Sequence, residues 1–304
     1  MLGKIAFHLT RKIKRSLARG KGSAAYWNAS MVATRSFRTK EDSLEHFHWR
    51  NAQYPGYLDL MPVSGQDEKV VVDYGCGPGN DLVGFASFSK PSKLYGMDVS
   101  ETAIGVARER LALHDQPIEF IRLDEAENEI PLPSGSVDYV HSSGVLHHCL
   151  HLDKIISEFH RILKPAGKVS VMVYNSASIW YHLYVGYVWK LKWKRNRETS
   201  TADAFRMTTD GRECPISRCY EKNEFMGLFS EAGFVPSHSG NSMSLHELGC
   251  MEYRLEALAD RRLPSEHRDF ISNLTFDPRG FPMHKGDVAG INACFTFRKK
   301  PEST

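Results

Sequence analysis

The sequence contains no C-x-x-C pair, and its six cysteines, at 76, 149, 214, 219, 250 and 294, follow no regular spacing. That absence argues against a disulfide framework and a zinc ribbon, and leaves reduced thiols in a cytosolic protein. No metal-ligand spacing accompanies the histidines around 147–151, so no metal site is expected there. No stretch approaches the ~20 consecutive apolar residues of a membrane-spanning helix. No apolar run follows the basic start, so no secretory signal is expected. Internal repeats and low-complexity tracts are also missing. Acid is missing from the start of the chain: no carboxylate precedes Glu41, whereas residues 1–40 hold ten Lys or Arg.

Within that basic start Leu2, Ile5, Ala6, Leu9, Ile13 and Leu17 recur at helical spacing, with Lys4, Arg11, Lys12, Lys14, Arg15 and Arg19 between them. Such a basic amphipathic helix suits an anionic bilayer surface. An interfacial anchor, a mitochondrial transit peptide and a solvated arm are the readings it supports. Nucleic acid is not an expected partner, because no recognition motif accompanies the charge. The rest of the chain has an ordinary globular balance, 41% hydrophobic and 25% charged over 304 residues, which allows one large domain with insertions.

The centre of the pattern is Val70-Val71-Val72-Asp73-Tyr74-Gly75-Cys76-Gly77-Pro78-Gly79-Asn80. Three β-branched residues read as a buried parallel strand, and the glycines allow a sharp turn and close approach to a ligand. Asn80 is the expected cap of the helix that follows. A second strand, Leu94 to Asp98, ends in an acid and is followed by a helix capped by Ser100. Strand and helix then alternate at regular spacing, which argues a parallel sheet covered on both faces.

Asp73-Tyr74-Gly75-Cys76-Gly77-Pro78-Gly79 resembles motif I of the class I S-adenosyl-L-methionine-dependent methyltransferases. The segment 130–140, Ile-Pro-Leu-Pro-Ser-Gly-Ser-Val-Asp-Tyr-Val, is similar to the type 11 subgroup of that family. The resemblance implies an α/β fold: a Rossmann-like, seven-stranded, mostly parallel sheet with helices on both faces. It covers 69–174 strongly and 220–298 weakly. A basic N-terminal arm and helical cap (1–66) would then precede a methyltransferase domain (67–304), with insertions after strand five (175–219) and before the last strand (241–290). The cofactor implied is S-adenosyl-L-methionine, cationic at its ammonium and its sulfonium, for which strand-end carboxylates are suited.

By the same resemblance the cofactor would be held by Asp73, Gly75, Cys76, Gly77, Gly79, Asp98, Val99, Asp124, Glu125 and Ser142. Asp98 would accept from the ribose hydroxyls, and Asp124 or Glu125 would meet the adenine amine. His147 and His148, at the carboxyl end of strand four, are the candidate general bases, with an unperturbed pKa suited to taking a proton from a hydroxyl. Equally, one ring can bond a backbone carbonyl while the other lines the cofactor pocket. The N-P-P-Y or D-P-P-Y motif of amide and exocyclic-amine methylation is absent. The expected reaction is O-methylation of a small-molecule, glycan or lipid-linked hydroxyl, with a quinone-like carbon, an amine, or a non-catalytic regulatory role as alternatives. An aromatic and basic helix over 177–197 would cover the acceptor, touch a membrane, or pack on the body.

Overall fold

A computed structural model of the chain describes residues 22–30 and 35–300, so the basic segment 1–21 lies outside the described residues. Ten strands fall into two sheets. The main sheet runs β3 (Ile118–Arg122), β2 (Lys93–Asp98), β1 (Val70–Tyr74), β4 (Val137–Ser143), β5 (Leu163–Tyr174), β10 (Asn292–Lys299), β6 (Phe234–Ser242). The first five are parallel neighbours, and β10 pairs antiparallel with both β5 and β6. This is the seven-stranded, mostly parallel Rossmann-like sheet that the motif pattern implies. β1 has β2 on one side and β4 on the other, so strand order reverses there and opens a crevice at the carboxyl ends.

Helices cover both faces. In chain order the first are α1 (Ser23–Ser30), α2 (Lys40–Ala52), α3 (Tyr57–Leu60), α4 (Asn80–Phe88) and α5 (Glu101–Leu111). They are followed by α6 (Leu152–Ile162), α7 (Thr201–Thr209) and α8 (Lys222–Glu231). α6 turns Ile155, Ile156, Phe159 and Ile162 onto the sheet, where they share a core with Val140, Val171, Phe225 and Phe295. The opposite face buries Phe47 of α2 and Val63 with Val71, Leu82 and Phe85. Residues 40–63, expected as a helical cap, therefore belong to the same core as β1.

The two insertions meet each other. A wide π-type helix, Trp180–Lys192, buries Ile179, Leu183, Tyr187 and Val188 against Met243, Leu263, Phe270 and Ile271. Most of the aromatic stretch 177–197 is thereby internal, and exposure is concentrated in Trp193, Lys194, Arg195 and Arg197. The chain then runs through three short helical pieces, Leu245–Gly249, a tight 3-10 turn Cys250–Tyr253, and Arg254–Ala259. A helix Ser265–Ser272 and a small sheet of β7 (Thr275–Phe276), β8 (Pro282–His284) and β9 (Asp287–Val288) complete this region and carried no legible sequence signal. β6 is nine residues long. Lys164-Pro165-Ala166-Gly167 form an excursion within β5, where the ladder steps from the pair Val137–Leu163 to Tyr139–Lys168.

Gly79, not Asn80, precedes α4 as its cap residue, with φ at +78°. The Asn80 side chain instead accepts from the Arg110 guanidinium at 2.6 Å. A Cβ at Gly79 would lie 2.6 Å from Leu111 Cδ2 and 3.3 Å from the Ala107 Cβ. Gly79 thus sets the packing of α4 on α5. Gly79→Ala is expected to cost about 1–3 kcal/mol through this overlap and the left-handed backbone. Urea denaturation of the variant checks it, and an unchanged midpoint would refute the packing account.

Candidate active site

The crevice at β1, β2 and β4 opens into one cavity of about 760 Å³. The turn after β1 is folded back over β2, because the amides of Gly75 and Cys76 both donate to the Met97 carbonyl, at 2.8 and 2.9 Å. The Gly77 amide donates to Asp98 Oδ2 at 2.9 Å, and Ser100 N donates to Asp98 Oδ1 at 2.8 Å. One carboxylate therefore pins the glycine turn and the start of α5 together. Burial pushes the Asp98 carboxyl up, and the Ser100 and Gly77 amides oppose that shift. A Cβ at Gly75 would overlap Val145, whereas one at Gly77 would meet nothing within 4 Å. The backbone at Gly77 is the part of the turn open to a ligand.

Beside the turn lies a buried set of charges. Asp81, on the first turn of α4, accepts from Arg50 of α2 at 2.6 Å and lies 3.3 Å from His141 Nε2. Burial opposes ionisation of Asp81, but Arg50 and His141 hold its carboxyl below the ordinary range. Asp73, 2% exposed, has no such partner: its Oδ2 makes no hydrogen bond among the described residues. Burial, helped by the neighbouring charges of Asp81 and Asp98 and opposed by His141, pushes the Asp73 carboxyl up to about 7. Two acids close together in a dry site cannot both ionise without a cation for each. Arg50 serves Asp81.

The other end of the cavity is aromatic and polar, lined by Trp27, Tyr54, Tyr57, His148, Tyr174 and Asp210. His148 Nδ1 faces the Ile216 carbonyl at 2.7 Å, and Nε2 lies 3.7 Å from Asp210 Oδ1. Burial pulls the His148 pKa down while Asp210 and the Ile216 carbonyl pull it up, and the net direction is down. The Trp27 ring lies 4.7 Å from the His148 ring. Tyr57 donates or accepts with Ser143 at 2.5 Å, closing the floor between the two ends.

Of the residues the motifs singled out, Asp73, Gly75, Cys76, Gly77, Asp98, Val99, Asp124, Glu125 and His148 line this one cavity. Three do not. His147 is fully buried and stacked on Tyr174 at 3.7 Å, with both ring nitrogens unpartnered among the described residues. Burial pulls its pKa well below the ordinary value, and of the two candidate bases His148 is the one that lines the cavity. Ser142 is fully buried and donates to the Tyr74 carbonyl at 3.1 Å, a bond between β4 and β1. Gly79 packs helices, as above. Among the acids after β3, Asp124 caps its own turn at Ala126 N, 2.9 Å, while Glu125 accepts from Ser23 N and Ala24 N at the start of α1. Glu125 therefore holds α1 over the cavity.

Sequence reasoning missed Trp27, Asp81 and Asp210, and placed Arg50 and Tyr57 only within the helical cap expected before β1. Asp81 lay within reach, one residue past the expected cap; the others come from segments without a motif. Asp210 also lies with His148 and Cys214, whose ligand-type atoms are within 4.8 Å of one another. The thiol near His148 is thus Cys214, not its neighbour Cys149.

Comparison with known proteins fits this geometry. The profile of a family described as a methyltransferase domain matches residues 72–171, from β1 into β5. This segment is a class I methyltransferase domain of the type 11 group. S-adenosyl-L-methionine is the methyl donor of that family. A ubiquinone/menaquinone biosynthesis C-methyltransferase, UbiE, of Cupriavidus metallidurans is 30% identical over 141 residues, 45% of this chain and 56% of the relative. An uncharacterized protein in a transposon of Streptomyces fradiae is 32% identical over 99 residues, 32% of this chain and 28% of that protein. The chain therefore spans about half or less of the length of these curated relatives. Among solved structures, a chain from a complex of the Haloferax volcanii Trm112 methyltransferase activator with a methyltransferase superposes with a TM-score of 0.51. It is 19% identical and covers 87% of this chain and 94% of its own. YcgJ of Bacillus subtilis also reaches 0.51, at 14% identity, with 81% and 97% covered. At that identity both show the shared fold.

The methyltransferase domain's buried acid has a pH signature. Asp73 holds its proton more tightly folded than unfolded, so its contribution to stability falls as pH rises from the ordinary carboxylate range to about 7. Asp73→Asn removes this penalty. The variant is expected to gain on the parent chain by about 1 kcal/mol per pH unit between roughly pH 5 and 7. Urea denaturation of both proteins across that range measures the difference, and parallel curves would remove Asp73 from the account.

Proposed function

We propose that this protein transfers the methyl group of S-adenosyl-L-methionine to an acceptor seated between His148, Asp210, Tyr54 and Tyr57, with a hydroxyl as the favoured acceptor. The observation that carries it is a single cavity with unmatched acid at one end and a neutral histidine at the other. Asp73 suits the methionine ammonium, its orphaned Oδ2 gaining a donor there. Asp98 retains lone pairs for ribose hydroxyls beyond those given to Gly77 and Ser100. Gly77 leaves room for the cofactor's approach. When bound, the cofactor supplies an electrophilic methyl on its sulfonium, so the protein's part is alignment and proton removal.

His148, neutral near pH 7, takes the acceptor proton as the acceptor oxygen bonds to the methyl carbon. The electron pair of the carbon–sulfur bond remains on sulfur, and the products are the methyl ether and S-adenosylhomocysteine. A second reading, methylation at a ring carbon, is supported by the UbiE relatives, which are C-methyltransferases. The same base then removes the proton from carbon instead of oxygen.

Two measurements test this. Calorimetry is expected to show S-adenosylhomocysteine binding, with Asp98→Ala weaker by the loss of charge-assisted contacts of ~1.5–3 kcal/mol each. Unchanged affinity in that variant would misplace the cofactor. In an assay of S-adenosylhomocysteine release over a panel of phenols, quinols and amines, His148→Gln is expected to slow turnover roughly 10²–10⁴-fold. Full turnover in His148→Gln would leave alignment alone as the source of rate.

A further inference from the structure

We infer that Asp210, carried by the insertion after β5, is the positioning residue for His148: it faces the ring's working edge and neutralises the imidazolium formed when His148 takes a proton. This rests on the methyl-transfer reading given above and adds to it a residue outside the segment matched by the family profile.

The geometry assigns the tautomer first. His148 Nδ1 lies 2.7 Å from the Ile216 carbonyl, which can only accept, so in the neutral ring the hydrogen sits on Nδ1 and the lone pair on Nε2. Nε2 looks toward Asp210 Oδ1 across 3.7 Å. That gap is too long for a direct hydrogen bond, and lone pair and carboxylate oxygen are both acceptors. The edge is completed only when a proton is present, either on an acceptor group entering from the cavity or on Nε2 itself. A neutral histidine facing a fixed carboxylate at this separation is therefore set for the protonated state of its reaction.

Asp210 is held for that task. Tyr174 donates to Oδ1 at 2.9 Å, Ser217 donates to Oδ2 at 2.6 Å, and the Tyr26 hydroxyl donates to its main-chain carbonyl. The donors come from β5, from the insertion and from α1, so three separate parts of the chain fix one carboxylate. The titratable groups packed about His148 are His147, Tyr174, Cys214 and Asp210, and Trp27 covers its face. His147 and Tyr174 are buried in their neutral forms, so Asp210 is the group in that set that can offset a positive His148.

The balanced step is short. The acceptor O–H proton moves to Nε2, the oxygen–methyl bond forms, the carbon–sulfur bond breaks with its electron pair on sulfur, and the imidazolium rests against Asp210. Deprotonation to solvent then restores His148.

Nitrogen-15 and carbon-13 NMR of the histidine side chains, with the full chain and S-adenosylhomocysteine added, tests the assignment. The wild-type His148 is expected to titrate below the ordinary histidine value, as its burial dictates, and Asp210→Asn, which keeps an acceptor for Tyr174, to lower that midpoint further by about one pH unit. Tyr174→Phe, which removes a hydrogen bond from the same oxygen, is expected to raise it, and that variant does not depend on Asn being tolerated at 210. Asp210→Glu is expected to recover part of the loss. A His148 midpoint indifferent to both Asp210→Asn and Tyr174→Phe overturns the proposal. Failure of S-adenosylhomocysteine to bind would end the cofactor reading instead, and the His148 titration of the free protein would still decide the role of Asp210.

Discussion

The constraint on which the rest of the structure depends is a pair of acids, Asp73 and Asp81, buried at the open end of β1 with one arginine between them. Burying a carboxylate without a partner costs several kcal/mol, so the fold has to bring a cation to the site. Arg50 does so for Asp81, and because Arg50 sits on α2, that ion pair ties the N-terminal helix to α4. Around it the core closes tightly: a Cβ on Gly84 of α4 would lie 2.6 Å from Val63 and 2.8 Å from Phe47. The segment before β1 is thus required by electrostatics as well as by packing. Asp73 is left with its burial penalty, and in a site with an unmatched acid the most stabilising ligand is a cation.

What the sequence made legible was what local chemistry decides. Three valines and a glycine turn identify β1 and its loop, an acid at the end of β2 identifies the residue that pins the turn, and the alternation of strand and helix yields the sheet. Gly79, Ser142 and His147 lie within the recognised motifs but do not line the cavity, because each is used in packing. Ser142 faces β1, and His147 faces Tyr174 behind the cavity wall. Glu125 lines the cavity and also takes the free amides of α1, a partner distant by about a hundred positions in sequence that no local pattern announces.

Arg50, Trp27 and Asp210 were illegible for the complementary reason. Each lies in a segment without a motif, and each matters only through what it touches: an acid, a ring, a ring nitrogen. The insertions follow the same logic. Residues 175–219 and 241–290 each carry apolar positions that cannot be satisfied locally, and the core they share at Leu183, Val188, Met243, Phe270 and Ile271 exists only when both are present. No pattern within either one announces the other.

The helix α1 joins the two halves of the site. Its amino end is held by Glu125 beside the β3 loop, and Asn28 accepts from Ser100 Oγ and Thr102 N at the start of α5, so it is anchored to the glycine-turn end of the cavity. The same eight-residue helix sends Trp27 against His148 and Tyr26 to the Asp210 carbonyl, so it is anchored to the histidine end as well. A displacement of α1 that widens one end must break contacts at the other. Such a helix couples the two ends physically, because a ligand that presses on Gly22 or Ser23 acts on the element that covers the histidine. In a reaction whose rate comes from holding an acceptor in line with a methyl group, a cover shared by both ends serves alignment better than two independent ones.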